Sequence, residues 1–288
     1  MKEIVVLSGK GGTGKTTIVA SFAALAKSKV LCDCDVDAAD LHLLLKPKVK
    51  ETHEFRSGQT AIIDEKLCTR CGLCQEVCRF EAINDLKIDP TACEGCGFCA
   101  RVCPENAITM KENMAGHWFI SDTKYGPLVH ARLGIAQENS GKLVNVVRQN
   151  ARSIGQKGGL EYIITDGPPG IGCPVISSLS GADLALLVTE PTLSGIHDLE
   201  RVVGVCRHFG VLALVCINKY DINEENTELI IKSCMDQRIE VVSKIPYEPK
   251  VSESIAEGVP LVEYMDNGAS QGIRSLWQTL SKVVRANQ

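Results

Sequence analysis

Nine residues near the start of the chain have the types and spacing that bind nucleotide phosphates. They read Gly-Lys-Gly-Gly-Thr-Gly-Lys-Thr-Thr and match the pattern GxxxxGK[ST] between an apolar run and a helical pattern. The glycines let consecutive backbone N–H groups point at one anion, and a helix start at Lys15 adds its positive dipole end. In such loops the lysine reaches the β- and γ-phosphates and the following hydroxyl binds Mg²⁺, the roles predicted here for Lys15 and Thr16. The predicted phosphate-binding residues are Gly9, Lys10, Gly11, Gly12, Thr13, Gly14, Lys15, Thr16 and Thr17.

Cysteines are the second chemical signal, because the chain contains 14 of them. Eight form two runs with the same spacing, Cys-x2-Cys-x2-Cys-x3-Cys. The first run is Cys68, Cys71, Cys74 and Cys78, and the second is Cys93, Cys96, Cys99 and Cys103. Such tight runs beside a nucleotide motif indicate metal ligation in a reducing compartment and not disulfide bonds.

The two runs resemble those of bacterial two-cluster ferredoxins, in which the fourth cysteine of each run serves the other cluster. The resemblance implies two [4Fe-4S] clusters, one held by Cys68, Cys71, Cys74 and Cys103 and the other by Cys93, Cys96, Cys99 and Cys78. Arg79 follows Cys78 where the pattern prefers proline, a departure that removes no ligand but bears on packing or potential. Zinc is the alternative, and the spacing disfavours it because closed zinc sites use Cys-x2-Cys pairs separated by a longer loop.

Composition sets the broad class of the protein. A hydrophobic content of 44% over 288 residues is ample for a buried core, so disorder is excluded. A net charge of −4 gives no sign of a surface that binds nucleic acid, and it disfavours binding to an anionic membrane. The chain starts without a basic, apolar leader and has no apolar stretch near the roughly 20 residues that span a bilayer. We therefore expect a cytoplasmic protein.

Apolar runs that end in polar residues alternate with helical patterns. Strands are predicted at 4–7, 29–35, 161–166, 182–188, 211–217 and 240–245, and helices from 15 and 140 and at 41–45, 195–209, 224–236 and 273–284. This alternation predicts an α/β fold with a mostly parallel, doubly wound sheet, whose ligands bind at the carboxyl ends of its strands. The last helix is expected to pack on the sheet, although a membrane-surface helix is an alternative.

Lys10 stands inside the phosphate-binding loop in addition to Lys15. With it, residues 10–16 match the deviant Walker A motif KGGxGKT, and the chain resembles the MinD/ParA family of P-loop ATPases. The resemblance covers about residues 1–50 and 120–288 and rests also on the stretches 33–40, 166–170, 189–192 and 218–219. It implies a P-loop NTPase domain in two parts, 1–55 and 121–288, interrupted at 56–120 by a small α+β module like a bacterial ferredoxin. It also implies slow, partner-stimulated hydrolysis of ATP and a homodimer that forms when ATP binds.

The same resemblance assigns roles to single residues. Lys10 would contact the nucleotide of the partner subunit across the dimer interface, where cations neutralise the phosphate charge. Asp35 would orient the attacking water, and Asp33 would lie near the shell of the metal. Asp166 would support Mg²⁺ through water. The residues predicted to act in catalysis are Lys10, Lys15, Asp35 and Asp166.

Three further residues have weaker support. Asn218 resembles the residue that reads adenine, and Pro246 lies where the family packs a loop on the base, yet either could be an ordinary residue at a strand end. Cys173 follows Asp166 by seven residues, near the offset of a cluster ligand in the distantly related nitrogenase iron protein. A bridging cluster at Cys173 is therefore a hypothesis, although no Cys-x2-Cys pair lies outside the two runs.

The leading functional hypothesis is an ATP-switched homodimer coupled to iron–sulfur clusters. It would act in electron transfer or in iron–sulfur or metallocofactor assembly, with a redox protein or a cluster-accepting client as partner. The alternative is a positioning or scaffolding ATPase like MinD or ParA in which the clusters are structural or sensory, which predicts ATP-dependent binding to membrane or DNA. A third possibility, amidotransferase-type cofactor synthesis, lacks the glutaminase residues that it needs.

Overall fold

A computed structural model of the protein describes residues 1–134 and 140–286. The strands in these residues are β1 Lys2–Ser8, β2 Lys29–Asp33, β3 Lys48–Ile63, β4 Ile83–Asn84, β5 Lys87–Ile88, β6 Ile108–Thr123, β7 Gly126–Leu133, β8 Tyr162–Pro169, β9 Leu184–Thr189, β10 Leu212–Asn218 and β11 Glu240–Ile245. The α-helices are α1 Lys15–Leu25, α2 Leu41–Leu45, α3 Leu73–Glu76, α4 Phe98–Val102, α5 Ser140–Lys157, α6 Cys173–Leu179, α7 Leu193–His208, α8 Glu224–Asp236, α9 Val251–Glu257, α10 Leu261–Tyr264 and α11 Gly268–Ala286.

Nine of these strands form one sheet in the order β11-β10-β9-β1-β8-β2-β7-β6-β3. Every neighbouring pair from β11 to β7 is parallel, and the register places Val6 opposite Asp166 and Asp33 opposite Asp166 on the other side. Parallel strands bring their carboxyl ends to one edge, so the loops after β1, β2, β8, β9 and β10 meet there. The predicted α/β fold with a mostly parallel sheet is confirmed.

Side chains of the central strands are buried on both faces of the sheet. In β1, Ile4 and Val6 join a core shared with α1 and α11, whereas Val5 and Leu7 join a core shared with α6, α7 and α8. A strand whose two faces are both buried has a continuous apolar sequence, which explains why apolar and polar residues do not alternate in β1. The helices therefore cover both faces, as the doubly wound arrangement requires.

Helix α11 packs its apolar face into this core. Ile273, Leu276 and Leu280 are buried, and the ring of Trp277 lies 5.2 Å from that of Phe22, centroid to centroid. The prediction of a last helix packed on the sheet is confirmed. Within residues 1–134 and 140–286, we find no helix with the length and apolar content that a membrane span requires.

The described chain divides into two compact units. The larger contains Met1–Thr52, Trp118–Arg132 and the chain from Ser140 onward, and the smaller contains His53–His117 with a short segment from Leu133. The chain passes from one unit to the other within β3 and again within β6. These two strands of 16 residues each are not predicted by the sequence analysis.

An internal repeat organises the smaller unit. The short helices α3 and α4 each follow a glycine of positive φ, Gly72 at 79° and Gly97 at 71°. β4 and β5 form a two-stranded antiparallel pair. The core of the unit is small, with Ala61, Ile83 and Ile108 packed around the half-buried cysteines of both runs. Domains with so little apolar core are usually stabilised by disulfides, bound metal or oligomerisation.

Candidate functional site

The phosphate-binding loop, residues 9–17, joins β1 to α1 in a conformation that requires glycine at close contacts. Gly14 precedes the helix with φ +92°, and a Cβ there would lie 2.3 Å from the side-chain nitrogen of Asn218. A Cβ on Gly9 would lie 2.3 Å from the Cβ of Asp198 in α7. The loop is thus packed tightly between α7 and the end of β10.

Lys15 begins α1 and is buried under the loop with acidic partners. Its Nζ lies 3.0 Å from Oδ1 of Asp166 at the end of β8 and 3.5 Å from Oδ2 of Asp35. Asp33, the last residue of β2, is fully buried beside them. The structure therefore brings together the lysine and the three carboxylates that the sequence analysis predicts at this site.

Burial and neighbouring charges shift the pKa values of Asp33, Asp35 and Lys15. Burial, reinforced by the charge of Asp166, raises the pKa of Asp33 well above its usual range. Burial also raises the pKa of Asp35, against the opposing attraction of Lys15. For Lys15, burial alone would lower the pKa, but the charges of Asp166 and Asp35 outweigh it and the net pKa is raised. The lysine is thus held in its charged form.

Among the residues that the structure describes, several buried oxygens of this site have no hydrogen-bond partner. They are Oδ2 of Asp33, Oδ2 of Asp166 and Oγ1 of Thr13. A buried carboxylate oxygen without a donor is costly, and such oxygens are the ligands that hydrated Mg²⁺ prefers. The donor set is therefore suited to Mg²⁺.

A cavity of about 500 Å³ lies over the loop, a size in the usual range for small-molecule sites. Its lining includes Gly11, Gly12, Thr13, Gly14, Lys15, Thr16, Thr17, Asp35, Asn218, Lys219, Pro246, Tyr247 and Glu248. Gly9, Lys10 and Asp166 of the predicted set are not part of that lining. Asn218 donates from its Nδ2 to the carbonyl of Thr13 at 2.8 Å, so this predicted base-binding residue also holds the loop.

Lys10 is bound within its own chain. Its Nζ lies 2.7 Å from Oε1 of Glu190 and donates to the hydroxyls of Thr192 at 3.0 Å and Ser194 at 3.1 Å. The other oxygen of Glu190 lies 2.9 Å from Nζ of Lys219, which also donates to the carbonyl of Gly12 at 3.0 Å. Burial would raise the pKa of Glu190, but its bonds to the two lysines prevail and the pKa is lowered.

Glu190 and Lys219 are site residues that the sequence analysis missed. Both lie in stretches that support the family resemblance, 189–192 and 218–219, but neither is given a role there. Their pairing joins residues 29 positions apart, and no local pattern encodes it.

The cysteines of the smaller unit surround two cavities. The first cysteine cavity is lined by Cys68, Cys71, Cys74 and Cys103, and the second by Cys78, Cys93, Cys96 and Cys99. Each cavity thus takes three cysteines from one run and the fourth from the other. Their volumes are about 20 Å³ and 330 Å³ respectively, so the second is the larger.

The remaining thiols lie outside these two cavities. Within 1–134 and 140–286, no three His, Cys, Asp or Glu side chains are grouped to hold one metal ion. Outside the two runs, Cys173 is exposed at the start of α6. The other five cysteines are buried: Cys32, Cys34, Cys206, Cys216 and Cys234.

Comparison with known proteins identifies the family of this chain. Residues 4–261 match the CobQ/CobB/MinD/ParA nucleotide binding domain. The chain belongs to the CobQ/CobB/MinD/ParA family. This confirms the predicted P-loop ATPase family, whereas the ferredoxin-like module and its clusters stay predictions.

Family relatives align along most of the chain. The uncharacterized protein MJ0578 of Methanocaldococcus jannaschii is 33% identical over 285 residues, which cover 98% of this chain and 97% of the relative. The putative septum site-determining protein MinD of Oltmannsiellopsis viridis is 26% identical, over 91% of this chain and 69% of the relative.

Solved structures in the CobQ/CobB/MinD/ParA family share the fold. The cell division ATPase MinD of Pyrococcus furiosus superposes with a TM-score of 0.60 at 21% identity, over 98% of this chain and 99% of that one. MinD of Pyrococcus horikoshii, solved in complex with Mg-ADP, has a TM-score of 0.60 at 19% identity, over 100% of this chain and 98% of that one.

Proposed function

We propose that the chain is an ATPase of the MinD/ParA type that binds ATP with Mg²⁺ over the phosphate-binding loop. The observation that carries the proposal is the buried ammonium of Lys15 between Asp166 and Asp35, 3.0 and 3.5 Å away. A glycine loop, a lysine and carboxylates at adjacent strand ends are the parts that phosphoryl transfer uses. The Mg-ADP complex of the P. horikoshii MinD and the ATPase title of the P. furiosus MinD support the choice of nucleotide.

In the proposed hydrolysis each residue of the site has a separate role. Backbone N–H groups of the loop bind the phosphates, and Lys15 exchanges Asp166 for phosphate oxygens when the nucleotide enters. Asp166, relieved of the lysine, would hold Mg²⁺ together with the Thr16 hydroxyl. Bound Mg²⁺ supplies charge neutralisation at the phosphates. Asp35, with its raised pKa, is suited to orient water and accept its proton.

Base recognition follows from the bond between Asn218 and Thr13. The amide nitrogen of Asn218 donates one of its two N–H groups to the loop at 2.8 Å, and its oxygen is a hydrogen-bond acceptor that can meet a base. The exocyclic amino group of adenine is a donor, whereas the equivalent group of guanine is an acceptor. Pro246 and Tyr247 line the same cavity and supply apolar surface for the ring. This chemistry favours ATP.

Replacing Lys15 tests the proposal. The Lys15→Met variant keeps a long side chain but loses the charge, and we expect phosphate release at saturating Mg-ATP to fall by a factor of at least about 100. Lys232→Met, on the exposed side of α8, is the matched control and should retain the wild-type rate. An unchanged rate in Lys15→Met would refute the assignment.

The names of the relatives bear on the choice between the two functional hypotheses for the ATPase. Several are named septum site-determining protein MinD, which favours the positioning or scaffolding alternative over a role in electron transfer or cofactor assembly. In this proposal ATP joins two copies of the chain, and Lys10 leaves Glu190 to contact the nucleotide of the partner subunit. The ammonium then neutralises phosphate charge in the closed dimer.

Cluster binding in the smaller unit is a second proposed function, favoured by one specific observation. The two cysteine cavities group the thiols as three plus one from the opposite run, the grouping that the two-cluster ferredoxin spacing implies. Each thiolate of such a cluster binds a different iron, so the four sulfurs need not meet at one ion. The clusters supply one-electron redox chemistry, and the four cysteines of each cavity would hold them for a structural, sensory or electron-transfer role.

Iron analysis tests this second function. We expect about eight iron atoms per chain in anaerobically prepared protein, four for each cluster. Both Cys78→Ser and Cys96→Ser should disturb the same cluster although they lie in different runs. Cys173→Ser is the control, and lost iron there would instead support the bridging cluster. Iron-free wild-type protein, or full iron in both cavity variants, would contradict the proposal.

A further inference from the structure

The internal repeat gives the two cysteine cavities corresponding positions in the sequence, so a difference at matched positions is informative. After its fourth cysteine the first run continues Arg79-Phe80, whereas the second continues Pro104-Glu105. Arg79 and Phe80 line the second cysteine cavity, and Pro104 and Glu105 line the first. One lining therefore gains a cation and an aromatic ring where the other has a neutral ring and a carboxylate.

The charges of the two linings differ by one unit. Glu105 is the charged residue of the first cysteine cavity, which gives a formal charge of −1. Arg79 and Glu94 are those of the second, which gives 0. The guanidinium carbon of Arg79 lies 4.8 Å from the centroid of the Phe80 ring, a cation–π contact that holds the charge at the cavity wall.

We propose that Arg79 raises the reduction potential of the cluster held by Cys78, Cys93, Cys96 and Cys99, an inference that rests on the proposed cluster binding. Reduction adds an electron to a cluster that is already anionic with its four thiolates, and a nearby cation stabilises the reduced form more than the oxidised one. Net charge is one of the protein's main means of setting such potentials. Arg79 is thus a tuning residue and not a ligand.

Hydrogen bonds to sulfur raise the potential of the other cluster, so they reduce the difference in potential that Arg79 creates between the two clusters. The amide of Arg70 donates to Sγ of Cys68 at 3.4 Å, and the amide of Ala107 donates to Sγ of Cys103 at 3.3 Å. Both sulfurs belong to the first cysteine cavity, and such bonds raise the potential of the cluster there. The effect of Arg79 must therefore be measured by comparing the potential of the same cluster in the wild-type protein and in the variant.

Exposure fixes how large the effect of Arg79 is. The side chain is exposed, so water and salt screen its charge. A shift caused by this charge shrinks as ionic strength rises, whereas a shift caused by altered packing does not. Salt dependence therefore separates the electrostatic role from a structural one.

The experiment is an anaerobic redox titration followed by electron paramagnetic resonance on the full chain. Cys96→Ser assigns the signals by altering that of the second cysteine cavity. We expect Arg79→Gln to move the midpoint of that cluster to a more negative potential at low salt, with the other midpoint unchanged. Arg79→Lys, which keeps the charge, and Arg101→Gln, an exposed arginine of the same unit outside both linings, should leave both midpoints in place.

The reciprocal variant Pro104→Arg should raise the midpoint of the other cluster. An unmoved midpoint in Arg79→Gln, with iron and sulfide intact, overturns the inference and leaves cluster binding standing. A shift that persists at high salt, or that also occurs in Arg79→Lys, overturns the electrostatic role. Wild-type protein without iron and sulfide overturns the inference and the proposed cluster binding together.

Discussion

Asp33 occupies the least favourable electrostatic position among the carboxylates at the nucleotide site. It is fully buried, one of its oxygens has no hydrogen-bond partner in the described part of the chain, and burial and the charge of Asp166 raise its pKa. A raised folded-state pKa means that the folded protein holds the proton more tightly than the unfolded chain does. Stability is therefore lost as the pH rises from the unfolded value through the folded one, and it is regained at acidic pH.

This sign gives a prediction for Asp33→Asn. The amide has the same shape, and its oxygen can still accept from the backbone N–H of Asp35, a bond of 3.2 Å. We expect the free energy of unfolding of the nucleotide-free variant to rise by about 1–2 kcal/mol near neutral pH, because the cost of burying this carboxyl group, either as a charge or as an acid that must take up a proton, is removed. Urea titrations across pH measure it, and the gain should shrink in acid. Asp236→Asn, at the exposed end of α8, should show no such gain; a destabilised Asp33→Asn protein at neutral pH would contradict the interpretation.

Residue types and spacing predict much of the site at this scale. The glycines, Lys15 and Thr16 follow from one motif, and the strand-end acids follow from where apolar runs stop. Each cysteine cavity combines three cysteines of one run with the fourth cysteine of the other, the grouping that the repeated spacing implies by its resemblance to two-cluster ferredoxins. The bonds of Lys10 do not follow in the same way, since its partners Glu190 and Thr192 lie about 180 residues away and only the folded sheet brings them near.

At the scale of elements, Glu190 links the ends of three parallel strands. It follows β9, and its carboxylate binds Lys10 from the loop after β1 and Lys219 from the end of β10. The ammonium of Lys10 has three donors, and Glu190, Thr192 and Ser194 use all of them. Lys10 must therefore give up this set of bonds before it can reach a second subunit.

Glu190→Gln tests that link. The amide keeps the size of the side chain but loses the charge that holds Lys10, and a hydrogen bond between charged groups contributes about 1.5–3 kcal/mol. We expect the dissociation constant of the ATP-bound dimer to fall by about tenfold, measured by sedimentation equilibrium. Glu200→Gln, an exposed glutamate of α7, is the matched control and should not change it. A weaker dimer in Glu190→Gln would contradict a restraining role.

Burial explains which elements the sequence predicts. The central strands β1, β8 and β9 each contain an apolar run because helices cover both faces of the sheet, and these runs identify the strands in the sequence. β3 is at the edge of the sheet and β6 is next to it, and most side chains of β3 are exposed. Its charged and polar residues follow no hydrophobic period, so a strand of 16 residues gives no sequence signal.

At the scale of the whole molecule, each candidate site is built from residues of one unit. The phosphate-binding loop, Asp35, Asp166 and Asn218 belong to the larger unit, and both cysteine cavities belong to the smaller. A nucleotide domain and a cysteine module with separate ligand sets can be studied one at a time by substitution in the full chain. Loss of one ligand should leave the other bound.

The most direct test of the proposed ATPase switch is the mass of the protein in solution with different nucleotides. Asp35→Asn, which slows hydrolysis in the proposed mechanism, keeps ATP bound during sedimentation. We expect twice the mass of one chain with Mg-ATP, and the mass of one chain with Mg-ADP. Adding Lys10→Ala should abolish the ATP-dependent form. A single-chain mass with both nucleotides, or a dimer that ignores both nucleotide and Lys10, would contradict the switch.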